Sequence, residues 1–170
     1  MAMRKAHTLC AVAGLLGSLA IGCGGGDPQQ MSGPADGAVF TVCANETRAD
    51  AYTAGMSKAG KDGLLTVQLM SSVPGPPIKG SNAWSITIKN SAGESVESAT
   101  IDVTPYMPDH NHGTSVRAVV TPLPEGGYSI APLYLYMAGL WQTTLQIHSA
   151  AEGDQAAVSD SVVFSFCVQG

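Results

Sequence analysis

The sequence predicts an all-β protein, an antiparallel two-sheet β-sandwich of about seven to eight strands. Two patterns lead to this prediction. Apolar residues alternate with polar ones in many short runs, which is the periodicity of strands with one buried face. Clusters of Gly, Pro, Asn and Asp separate these runs and indicate turns, and no helical repeat lies between them.

Residues 1–22 have the features of a cleaved signal peptide. Arg4 and Lys5 precede an apolar run, Leu9 to Ile21, that is too short to span a membrane. Small residues then lead to Cys23, and a cysteine at this point resembles a bacterial lipoprotein signal. The resemblance implies that Cys23 is diacylated. The alternative is ordinary secretion, with Cys23 having no special role.

The residue after the cysteine bears on location. Gly24 is not the aspartate that is associated with retention at the inner membrane. The resemblance therefore implies a protein of the bacterial cell envelope, anchored at the periplasmic face of the outer membrane. No other run approaches 18 apolar residues, so we expect the lipid to be the only membrane contact.

Residues 23–37 form the predicted tether between the anchor and the folded domain. They are rich in Gly, Pro and polar residues and show no periodicity, which predicts a flexible chain with a reach of roughly 20 Å. Residues 38–170 then form a single predicted domain. The 148 residues left after removal of residues 1–22 are enough for one hydrophobic core.

The charge balance limits the classes of partner. Removal of Arg4 and Lys5 leaves six basic and thirteen acidic residues, a net charge of −7. The remaining basic residues are scattered singly, and no basic stripe exists that would neutralise phosphates. This distribution argues against nucleic acid as a partner and supports a mild attraction for cations.

The cysteines divide into two groups. Cys10 leaves with the signal peptide and Cys23 is the lipid acceptor, so Cys43 and Cys167 remain as a pair in an oxidising compartment. We expect them to form a disulfide that ties the two ends of the domain together. A thiolate pair that binds metal is the alternative, and oxidation would compete with it.

The strands follow in chain order from the alternating pattern. The runs that predict them are Ala38–Cys43, Leu64–Met70, Ala83–Lys89, Ala99–Val103, Val116–Val120, Tyr128–Tyr136, Leu140–His148 and Val162–Val168. Pro132 interrupts one of these runs, so that strand is expected at an edge or bent. Residues Thr47–Ser57 have no clear alternation and are interpreted as one short helix that ends before Gly60 and Gly63.

One loop, residues 105–114, concentrates the unusual chemistry. Pro105 and Pro108 do not fit a central strand, so the chain is expected to leave the sheet near Tyr106. The asparagine and glycine that follow tolerate left-handed backbone angles. Asp109–Gly113 is therefore predicted to be a tight exposed turn.

The same loop is a candidate metal site. His110 and His112, two positions apart, can point to one side of the backbone and chelate one ion, with Met107 within reach. Imidazole with thioether suits copper, and Asp109 is positioned to orient a ligating imidazole. The alternative is a structural or protein-contact loop in which the imidazoles bond neighbouring carbonyls. His148 lies on the polar face of its strand and is interpreted as a solvated residue.

Residues 80–148 resemble the YtkA-like domain, which is also grouped with FixH-like proteins. The matching landmarks occur in the family's order: Gly80-Ser81-Asn82-Ala83-Trp84, Met107-Pro108-Asp109-His110-Asn111-His112-Gly113, Gly127-Tyr128 and Met137-Ala138-Gly139-Leu140-Trp141. The resemblance implies an immunoglobulin-like sandwich on the outer side of a membrane. Some members are tied to copper handling or to cytochrome oxidase assembly. Asn111 departs from the family pattern, in which a small residue, usually Gly, is common.

The resemblance also implies a fuller ligand set. Met137 precedes the strand of Trp141 and would approach the histidine loop, giving a His₂Met₂ site of Met107, His110, His112 and Met137. The alternative is that Met137 packs in the core beside Trp141.

The predicted function is therefore that of a lipid-anchored envelope protein that binds a metal ion, copper, for buffering or for delivery to a protein acceptor. The alternative is an immunoglobulin-like interaction module that binds no metal and has a structural His-rich loop. The sequence contains no G-x-S-x-G, no H-E-x-x-H and no phosphate-binding loop, so we expect no enzyme activity.

Overall fold

The structure is a computed structural model and describes residues 41–151 and 156–170. The predicted signal peptide, the predicted lipidation site Cys23 and the predicted tether lie outside the described residues. Within the described part of the chain no helix could cross a membrane. Its strands are β1 Met56–Ala59, β2 Leu65–Val73, β3 Gly80–Asn90, β4 Ala99–Met107, β5 His112–Gly113, β6 Val119–Leu123, β7 Gly127–Leu135, β8 Gly139–Ser149 and β9 Val158–Val168.

These strands form two antiparallel sheets. One sheet has the order β1-β2-β3-β7-β6 and the other has the order β5-β4-β8-β9. The all-β sandwich predicted from the alternation is confirmed. In β3 and β8, for example, Trp84 and Trp141 are both buried, as the inward side of the alternating pattern requires.

The core consists of the inward side chains of both sheets. Trp84 of one sheet packs edge-on against Phe164 and Phe166 of the other, with ring centroids 5.9 and 5.7 Å apart. Edge-to-face contacts of this kind add to the gain from burial, which is about 1.5–3 kcal/mol for each large apolar side chain. These three aromatic residues therefore join the two sheets.

Two expectations for the segment before β2 are wrong. Residues 42–45 form turns where the end of a first strand was expected, and no helix forms over Thr47–Ser57. Asp50 instead bonds twice across to β9, since its N–H donates to the Ser165 carbonyl at 2.6 Å and its carboxylate accepts from the Ser165 N–H at 2.7 Å. These tertiary hydrogen bonds override the local preference for a helix.

The disulfide between Cys43 and Cys167 is confirmed, with Cα atoms 5.6 Å apart. It joins the start of the described chain to the last strand over a sequence separation of 124. Together with Asp50, it holds the segment before β1 against β9.

Two strand boundaries need correction, and β7 matches one of its two expected forms. β7 is not an edge strand, because it lies between β3 and β6; Pro132 instead lies where the register with β3 shifts, an irregularity of the kind expected of a bent strand. The strand expected from Val116 begins only at Val119, after a connection between the sheets. Within the described residues, the edge of β4 that faces away from β8 pairs with β5 at Tyr106 and Met107 alone. β4 therefore continues through Pro105 to Met107, because the missing N–H of Pro105 breaks no ladder.

A buried carboxylate fixes the connection between β1 and β2. Asp160 in β9 is 2% exposed, and its oxygens accept hydrogen bonds from four backbone N–H groups. The donors are Asp62, Leu64, Leu65 and Ser161, at 3.0, 2.9, 3.1 and 2.8 Å. Burial raises the pKa of Asp160, but these donors outweigh it and the net pKa lies below its usual value.

Candidate metal centre

The two loop histidines lie on a short hairpin between β4 and β5. Met107 pairs with His112, and a turn over residues 108–111 joins the strands. The His110 N–H donates to the Met107 carbonyl at 3.3 Å, and Asn111 has a φ of 54°. A tight turn is present over residues 108–111, shifted from the predicted Asp109–Gly113 because His112–Gly113 form β5, and Asn111 supplies its left-handed position.

Two further contacts shape this hairpin. The Tyr106 hydroxyl donates a short hydrogen bond to the Asn111 side-chain oxygen. A Cβ at position 113 would lie 2.7 Å from the Pro105 carbonyl oxygen, so the strands approach too closely for any residue but Gly113. Gly113 is therefore explained by this close approach.

His110 and His112 lie next to each other in the structure. Their ring centroids are 5.7 Å apart with an interplanar angle of 47°. His110 is exposed and His112 is half-buried. Two imidazoles that share one ion at a nitrogen–metal distance of about 2.0–2.1 Å and a bond angle of about 90–110° have centroids about 4.5–5.2 Å apart. The observed spacing is only slightly wider, so a small side-chain movement would bring both rings onto one ion.

A tyrosine that the sequence did not single out completes the surroundings of His112. Tyr136 follows β7 and stacks on His112, with centroids 5.4 Å apart and an interplanar angle of 23°. Its hydroxyl oxygen lies 2.9 Å from Nδ1 and 3.4 Å from Nε2 of that imidazole. The one sequence feature that could have pointed to Tyr136 is its position directly before Met137, the first residue of a matched family landmark.

Trp141 packs against the rings of His112 and Tyr136 from the core side. This buried side chain makes edge contacts with His112 and Tyr136, at centroid distances of 6.2 and 5.6 Å. Its indole N–H donates to the Met137 carbonyl at 2.9 Å. The β7–β8 connection is thereby fixed next to the hairpin.

The two methionines occupy different environments. Met107 is 0% exposed, and a Cβ on Gly139 would lie 2.8 Å from its terminal methyl carbon, so this side chain points towards the start of β8. Met137 is partly buried and packs against the core. The sequence predicted both methionines to lie near the histidines. In the structure Met107 pairs with His112 in the hairpin, and the Met137 carbonyl accepts a hydrogen bond from Trp141, which contacts His112.

Asp109 makes its contacts with an arginine from a distant part of the chain. Its two carboxylate oxygens accept from Arg48 Nη1 and Nη2 at 2.8 and 2.7 Å, and Arg48 also bonds Glu46. Hydrogen bonds donated by Arg48 hold the pKa of Asp109 below its usual value, and the acceptance of these bonds by Asp109 and Glu46 raises the pKa of Arg48. This ion pair fastens the turn of the hairpin to the segment that precedes β1.

The remaining ligand types are dispersed. Across residues 41–151 and 156–170, no three His, Cys, Asp or Glu side chains form a group that could hold a metal ion. His148 is exposed on β8, and its Nδ1 lies 2.9 Å from the Ser159 hydroxyl. A site at the hairpin would thus need Tyr or Met in addition to His110 and His112.

The chain is similar to one protein family and to a solved periplasmic protein. A family model described as YtkA-like matches residues 61–146, a range that contains the hairpin, Tyr136 and Trp141. No curated protein matches the chain. Among solved structures, the chain is similar to "as isolated" FetP from uropathogenic E. coli strain F11, expressed in the periplasm of E. coli. The identity is 14% and the TM-score 0.44, over 70% of this chain and 96% of FetP.

Proposed function

The chain belongs to the YtkA-like family, and from that premise we propose that it is a lipid-anchored envelope protein that binds one copper ion through His110 and His112. The ion is buffered there or handed to a protein acceptor. The observation that carries the proposal is that the ring centroids of His110 and His112 lie 5.7 Å apart at the tip of a hairpin. The proposed role is binding and not catalysis.

The rigidity of the hairpin supports this role. A metal site binds tightly when its ligands are held in place before the ion arrives. Here the Arg48–Asp109 pair and the Tyr106–Asn111 hydrogen bond hold the turn from two sides. Little conformational freedom is then lost when the imidazoles share an ion.

The choice of copper rests on the ligand types nearby. Imidazole suits copper among the divalent ions, and thioether sulfur favours Cu(I). The family resemblance implies Met107 and Met137 as thioethers beside the histidines, but Met107 is 0% exposed, so the proposal itself names only the two imidazoles as ligands. The net negative charge of the mature chain favours cations in general.

The proposed location rests on two features of the chain. The lipoprotein-like signal that ends at Cys23 supports attachment at the periplasmic face of the outer membrane. The Cys43–Cys167 disulfide supports an oxidising compartment. Both features agree with a protein that meets metal ions outside the cytoplasm.

The test is a metal titration of the mature chain with Cys23 replaced, using Cu(I) and Cu(II) in the presence of a competing chelator. Wild type is compared with the His110→Ala/His112→Ala double variant and with His148→Ala as the matched control. We expect one equivalent to bind to wild type and to His148→Ala, and none to the double variant. Equal binding by all three proteins would contradict the proposal.

One observation favours a second candidate, an interaction module that binds no metal. The Tyr136 hydroxyl already supplies His112 with a hydrogen-bonding partner, so the imidazole does not need an ion to be satisfied. This candidate expects no metal uptake. It also expects substitutions in the hairpin to change the recovery of partner proteins.

A further inference from the structure

We propose that Tyr136 is the third ligand of this site, and that the His110–His112–Tyr136 set takes Cu(II) in preference to Cu(I). The inference rests on the proposed function, because it needs an ion shared by the two histidines. It adds a ligand that neither the motif nor the spacing of the loop contains. It also names the oxidation state of the ion.

The distance between the Tyr136 oxygen and the nearer nitrogen of His112 is that of two donors in one coordination sphere. Two donors that are each about 2.0–2.1 Å from one ion lie about 2.8–3.4 Å apart at bond angles of about 90–110°. The Tyr136 oxygen lies 2.9 Å from Nδ1 and 3.4 Å from Nε2 of His112. An ion can therefore replace the hydrogen bond without a large movement of either ring.

The Tyr136 residue is also exposed to solvent, whereas the Met107 residue is buried. Tyr136 is 41% exposed and Met107 is 0% exposed. An ion that arrives from solvent meets the exposed His110 ring, the half-buried His112 ring and the Tyr136 hydroxyl. The Met107 side chain lies in the core, with its terminal methyl carbon next to Gly139.

The ligand types determine the preferred oxidation state. Two imidazole nitrogens with one phenolate oxygen form a nitrogen–oxygen set, which suits Cu(II), whereas Cu(I) is favoured by thioether and thiolate sulfur. On binding, the O–H bond of Tyr136 breaks, its proton goes to solvent and a copper–oxygen bond forms. The copper ion keeps its oxidation state, so no oxidant or reductant is needed.

The surrounding structure holds the three ligands in place. Trp141 contacts the rings of both His112 and Tyr136 from the core side, at 6.2 and 5.6 Å. Its indole N–H fixes the residue next to Tyr136 through the Met137 carbonyl. A buried side chain thus supports ligands from the hairpin and from the β7–β8 connection.

The experiment compares the mature wild-type chain with Tyr136→Phe, which keeps the stacking ring and removes only the oxygen. Tyr134→Phe is the matched control, since Tyr134 is 37% exposed and lies on β7 two residues away. Each protein is titrated with Cu(II) under a competing chelator and its visible absorption is recorded. Wild type and Tyr134→Phe should show a phenolate-to-copper charge-transfer band. Tyr136→Phe should lack the band and bind about tenfold or more weakly, at least the loss seen for outer-sphere partners.

The outcomes separate this inference from the proposal on which it rests. Cu(II) binding through the histidines without the band, and with unchanged affinity in Tyr136→Phe, would overturn the role of Tyr136 alone. Binding of Cu(I) only, lost in Met137→Leu, would overturn it in favour of the thioether set. No copper bound by wild type would overturn both proposals. If Tyr136→Phe does not fold, phenolate vibrations in the resonance Raman spectrum of the wild-type complex decide the matter.

Discussion

Arg48 and Asp109 are 61 positions apart in sequence, yet they form a two-pronged ion pair at the turn of the histidine hairpin. The planar guanidinium matches the two carboxylate oxygens, which fixes orientation as well as distance. Arg48 belongs to the segment that the disulfide and Asp50 hold against β9. The hairpin is thus braced by a part of the chain far from it in sequence.

Replacing Arg48 with Ala should loosen the hairpin without unfolding the domain. Both partners are exposed, so little global stability is at stake, but the turn loses its external support. We expect amide hydrogen exchange at His110 and His112 to become faster and that of the core strands to stay unchanged. Arg48→Lys keeps the charge but not the paired geometry, and should give an intermediate rate. Unchanged exchange in Arg48→Ala would show that the ion pair does not hold the turn.

Asn111 should be replaceable by Gly but not by Ala. Its φ of 54° costs an ordinary residue about 1–2 kcal/mol, whereas Gly adopts this angle freely. Asn111→Ala also loses the Tyr106 hydrogen bond, so its free energy of unfolding should fall by about 1–3 kcal/mol in urea titrations. Asn111→Gly loses the same hydrogen bond without the strain and is the matched control. Equal stabilities of the two variants would contradict the role of the left-handed angle.

Asp160→Asn should destabilise the domain, because Asn has one acceptor oxygen and its NH₂ group cannot accept the two backbone hydrogen bonds that the second carboxylate oxygen takes. We expect a loss of about 1–3 kcal/mol at pH 7. The exposed Asp102→Asn on β4 is the control, and its stability should stay close to that of wild type. Identical unfolding midpoints for the two variants would refute the importance of this carboxylate.

The same residue makes the stability depend on pH. Since folding lowers the pKa of Asp160, its contribution is fully present above the unfolded value of about 3.9 and is lost as the pH falls through the folded pKa. Urea titrations of wild type and Asp160→Asn over an acidic pH series should therefore converge as the pH falls below 3.9. A constant difference across that range would contradict this linkage.

Loss of the disulfide should lower stability strongly. The bridge spans a separation of 124 residues, and removal of such a bridge typically costs about 2–5 kcal/mol. We expect the Cys43→Ser/Cys167→Ser variant to unfold at a clearly lower urea concentration than wild type. Wild type under reducing conditions is the control and should behave like the variant. A difference between the two would point to an effect of the serines.

Much of the fold was predictable because its signals are local. The alternation in β2, β3 and β8 sorted core from surface correctly, and the even cysteine pair predicted the disulfide. The predictions failed where contacts between distant parts of the chain determine the local structure. Asp50 bonds β9 and prevents the helix, and the bulge opposite β3 lets Pro132 sit inside a sheet.

The histidine pair of the candidate site was equally visible, because two positions two residues apart are close in any backbone. Tyr136 was not, because its contact with His112 depends on how the β7–β8 connection packs beside the hairpin. The pairing of Asp109 with Arg48 was hidden for the same reason. Spacing along the chain carries no information about either contact.

The long strand β4 has a second consequence. Among the residues that the structure describes, its side opposite β8 pairs only at Tyr106 and Met107, so Ala99–Pro105 forms an open edge. An open edge of this kind can template strand addition from a neighbouring molecule, which is a route to aggregation. The exposed charge of Asp102 and the missing N–H of Pro105 both disfavour such pairing. Pro105, two residues before the end of β4, therefore also makes this edge less able to pair with a strand of another molecule.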